Sequence, residues 1–155
     1  MSTSLKLETQ ILDNKVEVKV SGQIDEDATF EKILNIKQEV YIFDLEGVSL
    51  INSCGVREWI NFLEKLPEDA DITYKNVPQI VVEQINMVQG FVRPGARITS
   101  FYAPYYNEEK DEVVKVLLQS DEVANGKAPS KSEDGTDLEF DAIEAQYFNF
   151  LKQQG

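Results

Sequence analysis

Three side chains that could act on a partner or a phosphate stand together in Asn52-Ser53-Cys54-Gly55. The run falls where a predicted buried strand passes into an amphipathic helix. The first backbone N–H groups of a helix are unpaired and partly positive, so an oxygen is favoured there. Asn52 or Ser53 fits the N-cap, a role worth about 1 kcal/mol. The other chemistry open to Ser53 is phosphorylation, which would add about 1.5 to 2 negative charges at the same helix end. Cys54, in the same turn, has the setting that lowers a thiol pKa. A lone cysteine is more often a small buried filler, and that is the expectation here. Arg57, four residues after Ser53, could pair with a phosphate, although a solvated helix arginine is the commoner case.

Little else in the sequence is equipped for catalysis. The 155 residues include no histidine and one cysteine, which excludes Ser-His-Asp and Cys-His catalysis and zinc sites of the Cys₄ or Cys₂His₂ kind. No glycine-rich phosphate cradle of either common pattern occurs. With 28 Asp and Glu, carboxylates come close in sequence by chance and carry no signal for acid–base work. The expectation is no enzyme and no cofactor. A formal charge of −13 opposes nucleic acid and anionic membrane surfaces. It suits a protein partner with a basic face, or simply a solvated acidic surface. No apolar run approaches the roughly 20 residues that span a bilayer. The start Met1-Ser2-Thr3-Ser4-Leu5-Lys6 lacks a basic stretch followed by an apolar run, so no leader is expected. One unpaired cysteine suits a reducing compartment, which makes the cytoplasm the expected location.

The elements that must position Asn52–Gly55 follow from the spacing of apolar residues. Residues 5–12 and 15–21 alternate apolar and polar, with Val16, Val18 and Val20 on one face, and Asp13-Asn14 between them completes a hairpin signal. Residues 28–35 form a short helical piece carrying Phe30, Ile33 and Leu34. Residues 39–45 hold the continuously apolar Val40-Tyr41-Ile42-Phe43, expected of a strand covered on both faces, with a turn at Glu46-Gly47 after it. Val56, Trp59, Ile60 and Leu63 then make the apolar stripe of a helix that starts near Ser53 and stops by Pro67, so Trp59 is expected in the core. Residues 71–75 read as a further strand. Pro78 opens a second helix with Val81, Ile85 and Val88 apolar, capped by Gly90. Strand–helix–strand units with short connections predict an α/β fold: a mixed sheet with helices on one face.

The stretch from Val40 to Val56, with Asp44-Leu45, Val48 and the box Asn52-Ser53-Cys54-Gly55-Val56, resembles the signature of STAS domains, the anti-sigma-factor antagonists and their relatives. Gly22-Gln23-Ile24-Asp25 is similar to the Gly-x-Leu-Asp that follows the second strand in that family. Asn76-Val77-Pro78, followed by an apolar helix, is similar to a later family segment. The likeness covers roughly residues 5–103, in order. It implies a STAS-like domain over residues 1–103 and a non-enzymatic protein-interaction module in bacterial signalling, an anti-sigma antagonist or a stressosome-like scaffold. The implied partner is an anti-sigma factor or a serine-kinase-like protein. The resemblance also makes Ser53 the phospho-acceptor and assigns Asp25, Asn52, Ser53, Cys54 and Gly55 to the partner-binding surface. Asn52 stands where the family usually has Asp, and Cys54 where it has a second Ser. The alternatives within the family are a ligand-sensing domain that binds a nucleotide or a lipid near Ser53, and a phosphate-independent scaffold.

Residues 104–155 read as a small β-rich extension with a C-terminal helix. Residues 97–106 and 112–119 have strand character, and residues 120–137 are polar and charged, as in a solvated loop. The last helix begins near Asp141, where Asp141 and Glu144 have capping-box spacing. Its expected buried stripe is Ile143, Tyr147, Phe150 and Leu151. Tyr147, Phe148 and Phe150 lie within four positions, so the helix must dock on something. The run Tyr105-Tyr106-Asn107 to Lys110 resembles the first knuckle of a zinc ribbon in which Asn107, Lys110, Lys131 and Asp134 stand at the cysteine positions. Those side chains do not suit zinc at neutral pH, so no metal is expected.

Overall fold

Alternating apolar and polar residues build a hairpin of β1 (Lys6–Leu12) and β2 (Lys15–Ile24), paired antiparallel from Lys6–Ser21 to Leu12–Lys15. Asp13 takes φ 54° in the connection, a left-handed conformation that Asp tolerates better than most residues. The computed structural model describes residues 4–88 and 90–152, so Met1-Ser2-Thr3, at the start of the sequence, lies outside the described residues. Between β2 and the next strand, α1 (Glu31–Leu34) is a single turn, shorter than the helical piece expected over residues 28–35, yet it still buries Phe30 and Ile33.

β3 (Val40–Ile51) lies parallel to β2 on one side and to β4 (Asp71–Lys75) on the other. α2 (Ser53–Glu64) connects β3 to β4, and α3 (Gln79–Met87) leads from β4 to β5 (Arg97–Ile98). The sheet order is β1-β2-β3-β4-β5, with only β1 antiparallel, a mixed sheet as expected. The ring of Phe43 meets Trp59 and Phe62 of α2 at 5.1 and 5.9 Å, and Trp59 stacks on Phe91 at 5.6 Å. Trp59 is therefore core, and its indole N–H donates to the Tyr74 hydroxyl at 3.3 Å.

Two expectations for β3 are corrected. Tyr41, Phe43 and Leu45 are buried, whereas Val40, Ile42 and Asp44 are only half-buried, so β3 is covered on one face alone. The open face carries polar neighbours, including an ion pair between Lys75 and Glu17 across β3. The turn expected at Glu46-Gly47 is instead continuing strand, with a register shift against β2 between Lys19 and Ser21. A Cβ on Gly47 would lie 2.6 Å from the Ser21 Cβ, so glycine is what lets the two strands pass this closely. Similarly, α3 ends at Met87 with Val88 as its extended C-cap, and Gly90 at φ 95° turns the chain beyond it rather than capping it.

The second sheet grows from the end of the first. β6 (Ser100–Asn107) starts beside Val77, bridged through Val77–Phe101, and pairs antiparallel with β7 (Glu112–Gln119). β8 (Lys131–Glu133) and β9 (Thr136–Phe140) complete the order β7-β6-β9-β8. The division expected between residues 103 and 104 falls inside β6. Residues 120–137 are thus no plain solvated loop: they contain a 3-10 turn (Ser120–Glu122), β8 and the start of β9. Their charges pair across elements, as in Lys131–Glu122 at 2.7 Å. Asp134 and Gly135, at φ 49° and 81°, make the two-residue turn typical of hairpins.

The C-terminal segment is two short turns, α4 (Glu144–Tyr147) and α5 (Asn149–Lys152), rather than one helix from Asp141. The capping box does not form, because the Glu144 carboxylate accepts from the backbone N–H of Ala128 at 2.7 Å. The break at Phe148 points Tyr147, Phe148 and Phe150 all inward. Phe150 meets Phe101 at 4.9 Å and Phe148 stacks on Phe140 at 5.1 Å. Ile143, expected in the buried stripe, precedes α4 and is left 62% exposed. No helix among the described residues is long and apolar enough to cross a membrane.

Candidate functional site

The Asn52–Gly55 box forms where β3 ends and α2 begins. Asn52, in extended conformation, is the N-cap: its Oδ1 accepts from the Gly55 N–H at 2.8 Å. The open choice between Asn52 and Ser53 is thus settled in favour of Asn52. The Asn52 amide donates to the Glu26 carboxylate at 3.1 Å, and its backbone N–H donates to the Ile24 carbonyl at 3.2 Å. Gly55 is buried against the same carbonyl: a Cβ on it would lie 1.9 Å from the Ile24 oxygen. The helix start is therefore pressed onto the end of β2, and only glycine fits there.

Ser53 and Cys54 are both exposed. Exposure of Cys54 corrects its reading as a buried filler; it precedes Gly55 on the side of the first turn that faces away from β2. The Ser53 hydroxyl makes no hydrogen bond among the described residues, since Asn52 already satisfies the cap. Asp25 shapes the adjoining loop, its Oδ1 accepting from the Asp27 N–H at 3.0 Å and its carbonyl from the Ala28 N–H at 3.0 Å. Asp25 meets the box through its backbone, whose N would lie 2.9 Å from a Cβ on Gly55, while its side chain turns to Asp27. The side chain that joins the two segments is that of Glu26, which sequence reasoning passed over because nothing in the spacing sets it apart from its acidic neighbours. Its own backbone N–H and then the Asn52 amide hold the Glu26 carboxyl below the usual carboxylate range. Beside Ser53, a groove of about 350 Å³ runs between α2 and α3, with Val56, Arg57, Ile60, Gln84 and Met87 on its walls.

No family model matches the chain, and none of the curated proteins matches it. Among solved structures, the chain is similar to an anti-sigma factor antagonist from Mycobacterium paratuberculosis. The two share 20% identity, over 56% of this chain and 80% of that one, with a TM-score of 0.48. Likeness of that degree carries no functional information. None of the comparisons relates the extension to a zinc ribbon.

Three of the four positions likened to ribbon cysteines do meet. The Lys110 amine lies 3.0 Å from Asp134 and 3.2 Å from Glu133. Asn107, almost fully buried, donates to Glu133 at 2.9 Å and accepts from the Lys110 backbone N–H at 3.1 Å. Asp134 and then Glu133 hold the Lys110 ammonium above its ordinary value. Lys131 turns away to Glu122. This cluster is a hydrogen-bonded ion-pair staple between two turns, with donors and acceptors already matched to one another.

Proposed function

We propose that the chain is a non-enzymatic protein-interaction module of bacterial signalling, of the anti-sigma-antagonist or stressosome-scaffold kind, acting in the cytoplasm. Its contact surface is the first turn of α2, with Ser53 and Cys54, together with the neighbouring Asp25–Asp27 loop. One observation carries this reading: the shape of the turn is maintained by Asn52 and Gly55, so the Ser53 hydroxyl is exposed and has no internal role. A side chain free of structural duty at a 12-residue helix start is available for a partner or for a kinase. The order of STAS-like motifs along residues 5–103 supports the same reading. Among the described residues no base is paired with Ser53 or Cys54, which favours contact over catalysis. The net charge of −13 favours a partner with a basic face.

Phosphorylation of Ser53 would add a bulky, strongly hydrated dianion to the first turn of α2, and its size and desolvation cost would block close packing there even against a basic face. The adjoining groove, with apolar walls and Arg57 as its cation, suits partner side chains better than a nucleotide. The test is a pull-down with wild type, Ser53→Ala and Ser53→Asp, alongside phosphosite mapping after incubation with lysate and ATP. Retention of a partner by wild type and Ser53→Ala with loss in Ser53→Asp is the expected result. Equal recovery by all three, with modification confined to other serines, removes the switch.

A further inference from the structure

The second sheet ends on a strand whose residues belong inside a sheet. β7 is outermost in the order β7-β6-β9-β8, with β6 on one side and no strand on the other among the described residues. Five of its eight residues are aliphatic, in the run Val113-Val114-Lys115-Val116-Leu117-Leu118. On the inner face Leu118 is buried, and Val114 and Val116 pack partly buried against the core. On the outer face Val113 and Leu117 are 51% and 37% exposed. A run apolar on both faces is typical of an interior strand, whereas edge strands are usually short, alternating or charged. The other edges here obey that rule. β1 alternates and the Lys32 amine donates to its Leu7 carbonyl at 2.8 Å, while β8 has three residues and β5 two. On β7 only Lys115 interrupts the run. Among the described residues, the N–H and C=O groups of residues 113–118 that point away from β6 have no hydrogen-bond partner.

An open row of main-chain donors and acceptors at strand spacing is matched by another extended chain. The charges along the row say which kind. Glu108 and Glu112 stand at its start, Asp121 just past its end and Lys115 midway, and none of the four is ion-paired among the described residues. A second copy of β7 is a mismatch. Paired antiparallel, it turns Glu112 of each copy toward Asp121 of the other, and paired parallel it sets Glu112 against Glu112.

We propose that β7 is a docking edge, to which a partner protein adds an extended strand with apolar residues at its centre and Lys or Arg at both ends. Main-chain bonds hold the strand, side chains beside Val113 and Leu117 select it, and the acidic ends of β7 set its position. None of these residues lines the groove beside Ser53, so the edge operates whether or not Ser53 is a contact.

The test is a displayed library of random peptides long enough to pair along β7, selected on the full chain. The enriched peptides should alternate β-branched or aromatic residues and carry Lys or Arg toward both ends. N-methylation of every second peptide bond should abolish binding in one alternation and spare it in the other, a pattern that leaves the protein itself untouched. Alternate amides of residues 113–118 should exchange with deuterium more slowly once the peptide is bound. Val113→Lys and Leu117→Lys, both at exposed side chains, should weaken binding about tenfold. Glu112→Gln should weaken it about threefold and flatten its salt dependence, while Ser53→Asp leaves it unchanged. The proposal is overturned by an absence of enriched peptides, by enrichment without cationic ends, or by binding that survives N-methylation in both alternations. It is equally overturned if sedimentation shows a dimer of wild type that Leu117→Lys abolishes, because the edge is then a self-interface.

Discussion

Two turns in this molecule hold their shape by different physics. At the start of α2, Gly55 lies against the Ile24 carbonyl and Asn52 caps the helix, so steric fit and directed hydrogen bonds to the backbone define the turn. Between β6 and β8–β9, the turns at 107–110 and 133–134 are joined by Lys110, Glu133, Asp134 and Asn107, an exposed ion pair over one buried amide. Close packing does not respond to salt, whereas exposed charges are screened by it. The turn at Ser53 is thus fixed by contacts that salt leaves alone, and the turns at 107–110 and 133–134 by contacts that salt weakens.

The largest effect should come from Gly55→Ala. The added methyl would overlap main-chain atoms that cannot rotate aside, so denaturant unfolding should show a loss of about 3 kcal/mol. A change within experimental error would mean that the helix start shifts freely and that the turn is not sterically locked.

Asn52 comes next. Asn52→Ala should cost about 1 kcal/mol through loss of the cap. Asn52→Asp keeps a cap acceptor but turns a carboxylate toward Glu26 in place of an amide. In wild type the Glu26 carboxyl is held low, so its contribution is present above the ordinary carboxylate range and lost as pH falls through the lowered value. In the Asp variant that contribution is replaced by repulsion. The stability gap between the two should therefore be widest near neutral pH and close under acid conditions, as followed by thermal melts across pH. A gap independent of pH would remove Glu26 from the account.

The smallest effect belongs to the staple. Its ammonium is exposed and screened by solvent, so Lys110→Met should cost less stability than Asn52→Ala. That difference should shrink in high salt, whereas the Gly55→Ala difference should not. If both respond to salt alike, the contrast between steric and electrostatic turns fails.

Much of the frame could be read from residue order. Val16, Val18 and Val20 announced a half-buried strand, and Val56, Trp59 and Leu63 a helix face, because burial on one side imposes periods of two and of three to four. The extension was less legible. Lys131, Glu122, Lys110 and Asp134 look like solvent-loving residues in a row, and only strand pairing reveals that they neutralise each other, although Asp134-Gly135 was a readable hairpin signal. At the candidate site, the position of the box was plain, but the division of labour within it was not. Glu26 had no distinguishing mark, and Ile143 belonged to a stripe that seemed destined for the core.

By itself, the sequence determined that Asn52, Ser53, Cys54 and Gly55 would stand at a strand-to-helix junction, since local periodicity ends and restarts there. Which oxygen caps the helix, and therefore which is left exposed without a hydrogen bond among the described residues, was decided by the tertiary structure. The Ile24 carbonyl leaves no space for a side chain at Gly55, and that contact sets the helix so that the Asn52 carboxamide, not the Ser53 hydroxyl, reaches the open N–H.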